Sequence, residues 1–203
     1  MIVIGGTQRS GTSLMAQLLE ASGYDLDSEE GDEVGTAEHE LTCGFFRDYL
    51  GDDQFPYDTR SWPHATPEQF AAIDLKVIKF AYLLMNPVFI SVWHKFRPPS
   101  RGDSFLILNR VKDQVVKSKY ASWKWFSHDS PMLLQDAVTL EWNFRVCLGM
   151  LKDYEYPIEV LPFPGYLKNF EFVNRILVLL DPTVQITRKA WDDTIDHSRS
   201  HTR

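Results

Sequence analysis

A β-type run that ends in a glycine loop and passes straight into a helix constrains this chain more than anything else in it. "IVIGGTQRSGTSL" occupies residues 2–14. Ile2, Val3 and Ile4 lead into Gly5 and Gly6, an apolar helical spacing of Leu14, Leu18 and Leu19 begins just past Gly11, and Gly23 predicts the C-cap. Strand, tight loop and helix N-terminus in that order form a cradle for phosphate. Glycines let successive amide N–H groups turn inward, and the helix adds the positive end of its dipole. Ser10, Thr12 and Ser13 add hydroxyl donors, and the forked guanidinium of Arg9 suits two oxygens at once. The spacing from Gly6 to Gly11 is followed by Thr12-Ser13, where a nucleotide-hydrolysing P-loop carries Lys-Ser or Lys-Thr. The loop therefore predicts a phosphate site without the Walker lysine.

Strand and helix patterns alternate along the remainder. Residues 24–40 carry eight acidic residues and no Lys or Arg, a pattern expected of a solvated loop. The end of that stretch, "AEHELTCGFFRDYL", turns amphipathic and predicts a helix. Residues 51–66 read as loop, and "TPEQFAA" as an N-cap followed by Pro at the first helical position. "LKVIKFAYLL" (75–84) begins as a β-type run, and "NPVFISVWHKF" (86–96) starts a helix at Pro87. "SFLILN" (104–109), apolar almost throughout, predicts an interior strand covered on both faces. Helices are expected over 111–126, 131–153 and 167–180, a strand over 158–163, and a polar tail after that. This order predicts α/β layers around a largely parallel sheet. Ligands of such sheets sit at the carboxyl ends of the strands, where the loop 5–13 and the segments after Ile78 and Leu108 converge.

At 203 residues and 44% hydrophobic content the expectation is one domain over 1–203, with 24–66 as an acidic and aromatic insertion on the substrate side. A net charge of −7 argues against broad nucleic-acid binding. No apolar run reaches the length of a membrane span, and a strand starting at Ile2 leaves no room for a signal peptide. The expectation is a soluble, cytoplasmic protein with neither nucleic acid nor membrane as partner. Cys43 and Cys147 lack metal-ligand spacing, so two reduced, buried thiols and no metal site are expected.

A second cluster lies in "LILNRVKDQVVKSKYAS". Arg110 ends the buried strand, and Ser118 follows eight residues later in the next helix. An arginine leaving a strand's carboxyl end, with a hydroxyl two helical turns on, makes a clamp for a second phosphate.

The two motifs together resemble those of the sulfotransferases. "TQRSGTSL" is similar to their 5′-phosphosulfate loop, which reads Pro-Lys-Ser-Gly-Thr-Thr or Gln-Arg-Ser-Gly-Thr-Ser. "NRVKDQVVKSKYAS" is similar to their 3′-phosphate motif, although the proline that commonly follows the arginine by two is missing. "CGFFRDYLG", "IEVLPFPGYLKNFEFVNRILVLL" and "WDDTIDHSRSHTR" are looser matches to small bacterial and phage-type members. The resemblance implies a P-loop NTPase-like three-layer α/β fold with a central, mainly parallel sheet. It implies transfer of a sulfuryl group from 3′-phosphoadenosine 5′-phosphosulfate (PAPS) to a hydroxyl of a carbohydrate or small-molecule acceptor. It also implies that Arg9 stabilises charge developing on the leaving phosphate. Ser10, Gly11, Thr12 and Ser13 would hold the 5′-phosphate, and Arg110 and Ser118 the 3′-phosphate.

The group that takes the acceptor's proton is open at this level. One branch of the family uses a His after the second strand, where this chain has Phe80 and Ala81. Lys79 remains there as a candidate contact to the sulfuryl oxygens. Other branches use a Glu shortly before an aromatic pair, and "AEHELTCGFF" offers Glu38, His39 and Glu40. Tyr49, Phe55, Tyr57, Trp62, Trp123, Trp125 and Phe126 are candidate pocket aromatics. Two rival functions share the fold: a silent nucleotide-binding protein, and a P-loop small-molecule kinase, which would need a lysine at Thr12 and a Mg²⁺-holding carboxylate.

Overall fold

In the computed structural model the described residues are 1–6, 9–26, 38–51, 62–121 and 136–200, without the side chains of 119–121 and 196–200. β1 (Ile2–Gly6) sits between β2 (Val77–Lys79) and β3 (Ser104–Asn109), and β4 (Ile158–Pro162) lies outside β3. Every pairing is parallel: Ile4 stands opposite Lys79 on one side and Leu106 on the other. The chain is thus an α/β protein with a central parallel sheet.

Successive residues of a strand face opposite sides of the sheet, and here both sides are apolar. Val3, Ile78, Phe105 and Ile107 face one core; Ile2, Ile4, Val77, Leu106, Leu108 and Leu161 face the other. The first core is covered by α2 (Glu40–Leu50), α3 (Pro67–Ala71), α4 (Pro87–Phe96) and α6 (Ala137–Asp153). Its aromatic rings interlock: Phe45 stacks on Phe70 at 4.3 Å, Phe46 on Phe80 at 4.7 Å, and Trp93 meets Phe70 edge-on at 5.1 Å. Each such ring contributes roughly 1.5–3 kcal/mol through burial alone. The second core is covered by α1 (Thr12–Glu20), α7 (Phe170–Leu180) and α8 (Arg188–Ser200). α5 (Lys112–Ala121) follows β3 and packs on α6.

Helix boundaries follow the capping chemistry. Thr66 and Gln69 form a capping box ahead of Pro67, and Asn86 caps α4 ahead of Pro87. Gly23 has φ +96°, and the Gly23 and Tyr24 amides donate back to Glu20 and Leu19, closing α1 as expected. Gly44 allows a close approach: a Cβ there would stand 1.9 Å from the Pro63 carbonyl, so the 62–65 segment lies directly on α2.

Two elements depart from the sequence pattern. The apolar run 75–84 keeps only three strand residues. Beyond Lys79 the chain turns through residues 81–85 into the Asn86 cap, and Phe80, Tyr82, Leu83 and Leu84 are buried in the aromatic core instead of lengthening β2. The polar tail is helix α8, whose Ala190, Trp191 and Ile195 form a sparse apolar stripe against α1. Both cysteines are free and buried, and among the described residues no helix is long and apolar enough to cross a membrane.

Candidate functional site

The carboxyl ends of β1, β2 and β3 bring three separate stretches of chain to one edge. At β1, Gly6 is required by crowding, since a Cβ there would meet Ser10 Oγ at 2.4 Å and the Leu108 carbonyl at 2.8 Å. Ser10 is therefore buried beneath the loop. Gly11 has φ +90°, and its missing Cβ leaves the space taken by the Phe163 ring, 2.3 Å from where that atom would be. Arg9 also adopts a left-handed backbone, at φ 64°.

The α1 N-terminus lacks a side-chain cap and has no acidic residue in its first turn. Its neighbours differ: α2, α3, α4, α6 and α7 are capped by His39, Thr66, Asn86, Asp136 and Asn169. A helix start that no side chain satisfies leaves its amide donors for a ligand anion.

Arg110, just past β3, donates from Nη1 to the Arg9 carbonyl at 3.1 Å, and Arg9 Nε donates to Ser118 Oγ at 3.0 Å. The Arg110 guanidinium lies over the Phe163 ring at 5.4 Å, and its Nε reaches Gln114 Oε1 at 3.4 Å. Burial, and then the like charge of Arg9, lower the pKa of Arg110. None of the ion pairs among the described residues involves Arg9 or Arg110. Two adjacent guanidiniums without a carboxylate partner make a concentrated positive site.

Lys79, at the end of β2, has a side chain only 1% exposed. Its Nζ donates to Ser13 Oγ at 3.0 Å and pairs with Glu38 Oε1 at 2.9 Å, while Glu38 Oε2 accepts the Ala81 amide at 2.9 Å. Lys79 and Glu38 are thereby tied to the first turn of α1. His39 has another task. It is buried as the N-cap of α2, and its Nδ1 accepts the Thr42 amide at 3.2 Å. Glu40 stands in the first turn of α2.

The site thus joins Arg9, Ser10, Gly11, Thr12 and Ser13 with Arg110 and Ser118 on one side and with Lys79 and Glu38 on the other. Among the aromatic candidates, Tyr49 rests on Phe45 and Phe96, and Trp62 approaches Tyr82 at 6.3 Å. Phe55, Tyr57, Trp123, Trp125 and Phe126 lie outside the described residues. Three participants were not singled out in the sequence. Phe163 fills the space at Gly11 and lies under Arg110; Tyr166 donates to the Gly11 carbonyl at 3.3 Å; Lys112 binds the turn that carries Arg110. The first two had a signal, because "PFPGY" directly follows a strand and so lands on the ligand edge.

No protein-family model and no curated protein matches the chain. Among solved structures it is similar to the crystal structure of retinol dehydratase in complex with androsterone and inactive cofactor PAP. That similarity has 14% sequence identity and a TM-score of 0.44, and covers 97% of this chain and 63% of the other.

Proposed function

We propose that this protein is a sulfotransferase that moves a sulfuryl group from PAPS to a hydroxyl of a carbohydrate or small-molecule acceptor. The observation that carries the proposal is the pair of contacts from Arg9 to Ser118 and from Arg110 to Arg9, which unite motifs 109 and 101 residues apart. A nucleotide with phosphates at both its 5′ and 3′ positions needs two such anion sites side by side. The uncapped start of α1 and the guanidiniums of Arg9 and Arg110, which make no ion pair among the described residues, fit that requirement.

Each residue then has a role. Ser10, Thr12, Ser13 and the α1 amides bind the 5′-phosphate, and Arg110 and Ser118 bind the 3′-phosphate. Arg9 supplies charge where it develops as the sulfur–oxygen bond to the phosphate breaks. Glu38 takes the acceptor's proton as the new oxygen–sulfur bond forms, and Lys79 holds that carboxylate in position.

The test is a thermal-shift and calorimetric titration with adenosine 3′,5′-bisphosphate, 5′-AMP, and ATP with Mg²⁺, on the wild type and Arg110→Ala. The bisphosphate should stabilise the wild type most, and Arg110→Ala should lose that preference while binding 5′-AMP nearly as well. Equal losses for both nucleotides would remove Arg110 from the 3′-phosphate. A preference for ATP with Mg²⁺ would favour the kinase.

A further inference from the structure

Lys112 occupies an unfavourable position for a cation. It opens α5, where the helix dipole opposes positive charge, and it is only 5% exposed. Its side chain folds back over the Phe144 ring of α6, 4.0 Å from the centroid. From there Nζ donates to Asn109 Oδ1 at 2.8 Å and to the Arg110 carbonyl at 3.2 Å. The amine therefore clamps the β3–α5 turn, the piece of backbone from which Arg110 reaches into the candidate site.

The charges around it do little to compensate. A cleft of about 610 Å³ between this turn and α6 is lined by Arg110, Lys112, Asp113, Glu141, Trp142 and Arg145, among others. Glu141 favours the charged amine, but that carboxylate is paired with Arg145 at 2.7 Å. Asp113, the neighbour on the same helix, makes no ion pair with Lys112. Burial consequently pushes the Lys112 amine down to about 8, against the partial support of Glu141. An anion held by Arg110 would supply the compensation that is missing.

Resting on the nucleotide reading above, we infer that Lys112 is a positioning residue of the 3′-phosphate site, and that nucleotide binding takes up a proton on its amine. Protonated, Lys112 holds the Arg110 carbonyl with a charged donor; deprotonated, it weakens that hold and removes a favourable charge next to the bound phosphate. The folded, ligand-free protein loses this proton as pH rises through about 8. The complex keeps it to higher pH, so affinity falls as pH rises.

Calorimetric titration with adenosine 3′,5′-bisphosphate from pH 7 to pH 9, in two buffers of different ionisation enthalpy, tests this. Phosphate monoesters lose their second proton near pH 6, below the window. Wild-type affinity should fall roughly tenfold from pH 7 to pH 9, with uptake of about half a proton per nucleotide near pH 8. Lys112→Arg, whose guanidinium does not titrate there, should bind with an affinity that is flat across the window. Lys112→Met should bind at every pH about as the wild type does at pH 9, without proton uptake. Flat wild-type binding without uptake overturns the inference alone, and so does a pH slope that survives in Lys112→Met. No bisphosphate binding at any pH overturns the nucleotide reading and this inference with it.

Discussion

At Arg9 the backbone and the side chain have opposite preferences. A left-handed φ of 64° is comfortable for glycine and costs a side-chain-bearing residue about 1–2 kcal/mol. The side chain nonetheless reaches Ser118, and its own carbonyl receives Arg110. Strain retained at a crossing point of this kind is a mark of function over stability. Arg9→Gly should therefore unfold at the same or a higher urea concentration than the wild type, while turnover falls by roughly 10²–10³-fold. A variant that is less stable and still active would reverse the assignment. Glu38 is the carboxylate fixed at this edge, held by Lys79 and the Ala81 amide. Glu38→Gln keeps the amide contact and should lower kcat by roughly 10²–10⁴-fold, with nucleotide affinity changed only a few-fold. A kcat within a few-fold of wild type would return the base to the choice between His39 and Glu40.

Between elements, a buried polar joint lies away from the site. Arg97, just past α4, pairs with Asp103 ahead of β3 through contacts of 2.7 and 2.8 Å, and its Nη1 caps the carbonyls of Phe70, Ala71 and Ile73 at the end of α3. Trp93 Nε1 donates to the same carboxylate at 3.1 Å, and Tyr156 Oη donates to the Arg97 carbonyl. Removing the arginine would leave Asp103, fully buried, with the Trp93 indole but without its counter-ion, and would take the guanidinium from the Ala71 and Ile73 carbonyls, while the Phe70 carbonyl keeps the Ile73 amide. Arg97→Met should destabilise by about 3–5 kcal/mol in urea unfolding; a loss below about 1 kcal/mol would mean water enters and replaces the guanidinium. The sequence does not advertise this joint, because "RPPSRGD" reads as a turn and nothing in the spacing shows that Arg97 and Asp103 face inward. The regular elements were easier to read. "SFLILN" is β3 over the expected residues because both of its faces are apolar, and α3 and α4 begin at their capping residues, Thr66 and Asn86. α8 was hidden because its buried stripe is only Ala190, Trp191 and Ile195 within an otherwise polar segment. Periodicity cannot register so few apolar positions.

In the whole molecule, the strand-end arrangement was legible because a parallel sheet sends every strand's successor to the same edge. The loop after β1 and the arginine after β3 were bound to be neighbours once both strands were recognised. The connections across that edge were not legible, since they depend on side-chain direction: Arg9 to Ser118, Lys79 to Ser13, Phe163 into the space at Gly11. The position of β1 carries a consequence for the newborn chain. β1 is made early but lies in the middle of the sheet, and both of its partners, β2 and β3, are made much later. At a synthesis rate of about 5–20 residues per second, its apolar face waits on the order of ten seconds before residues 77–118 emerge from the ribosome. During that time the loop after β1 has neither neighbour nor clamp, and the first part of the candidate site to be synthesised cannot be completed until the later parts emerge.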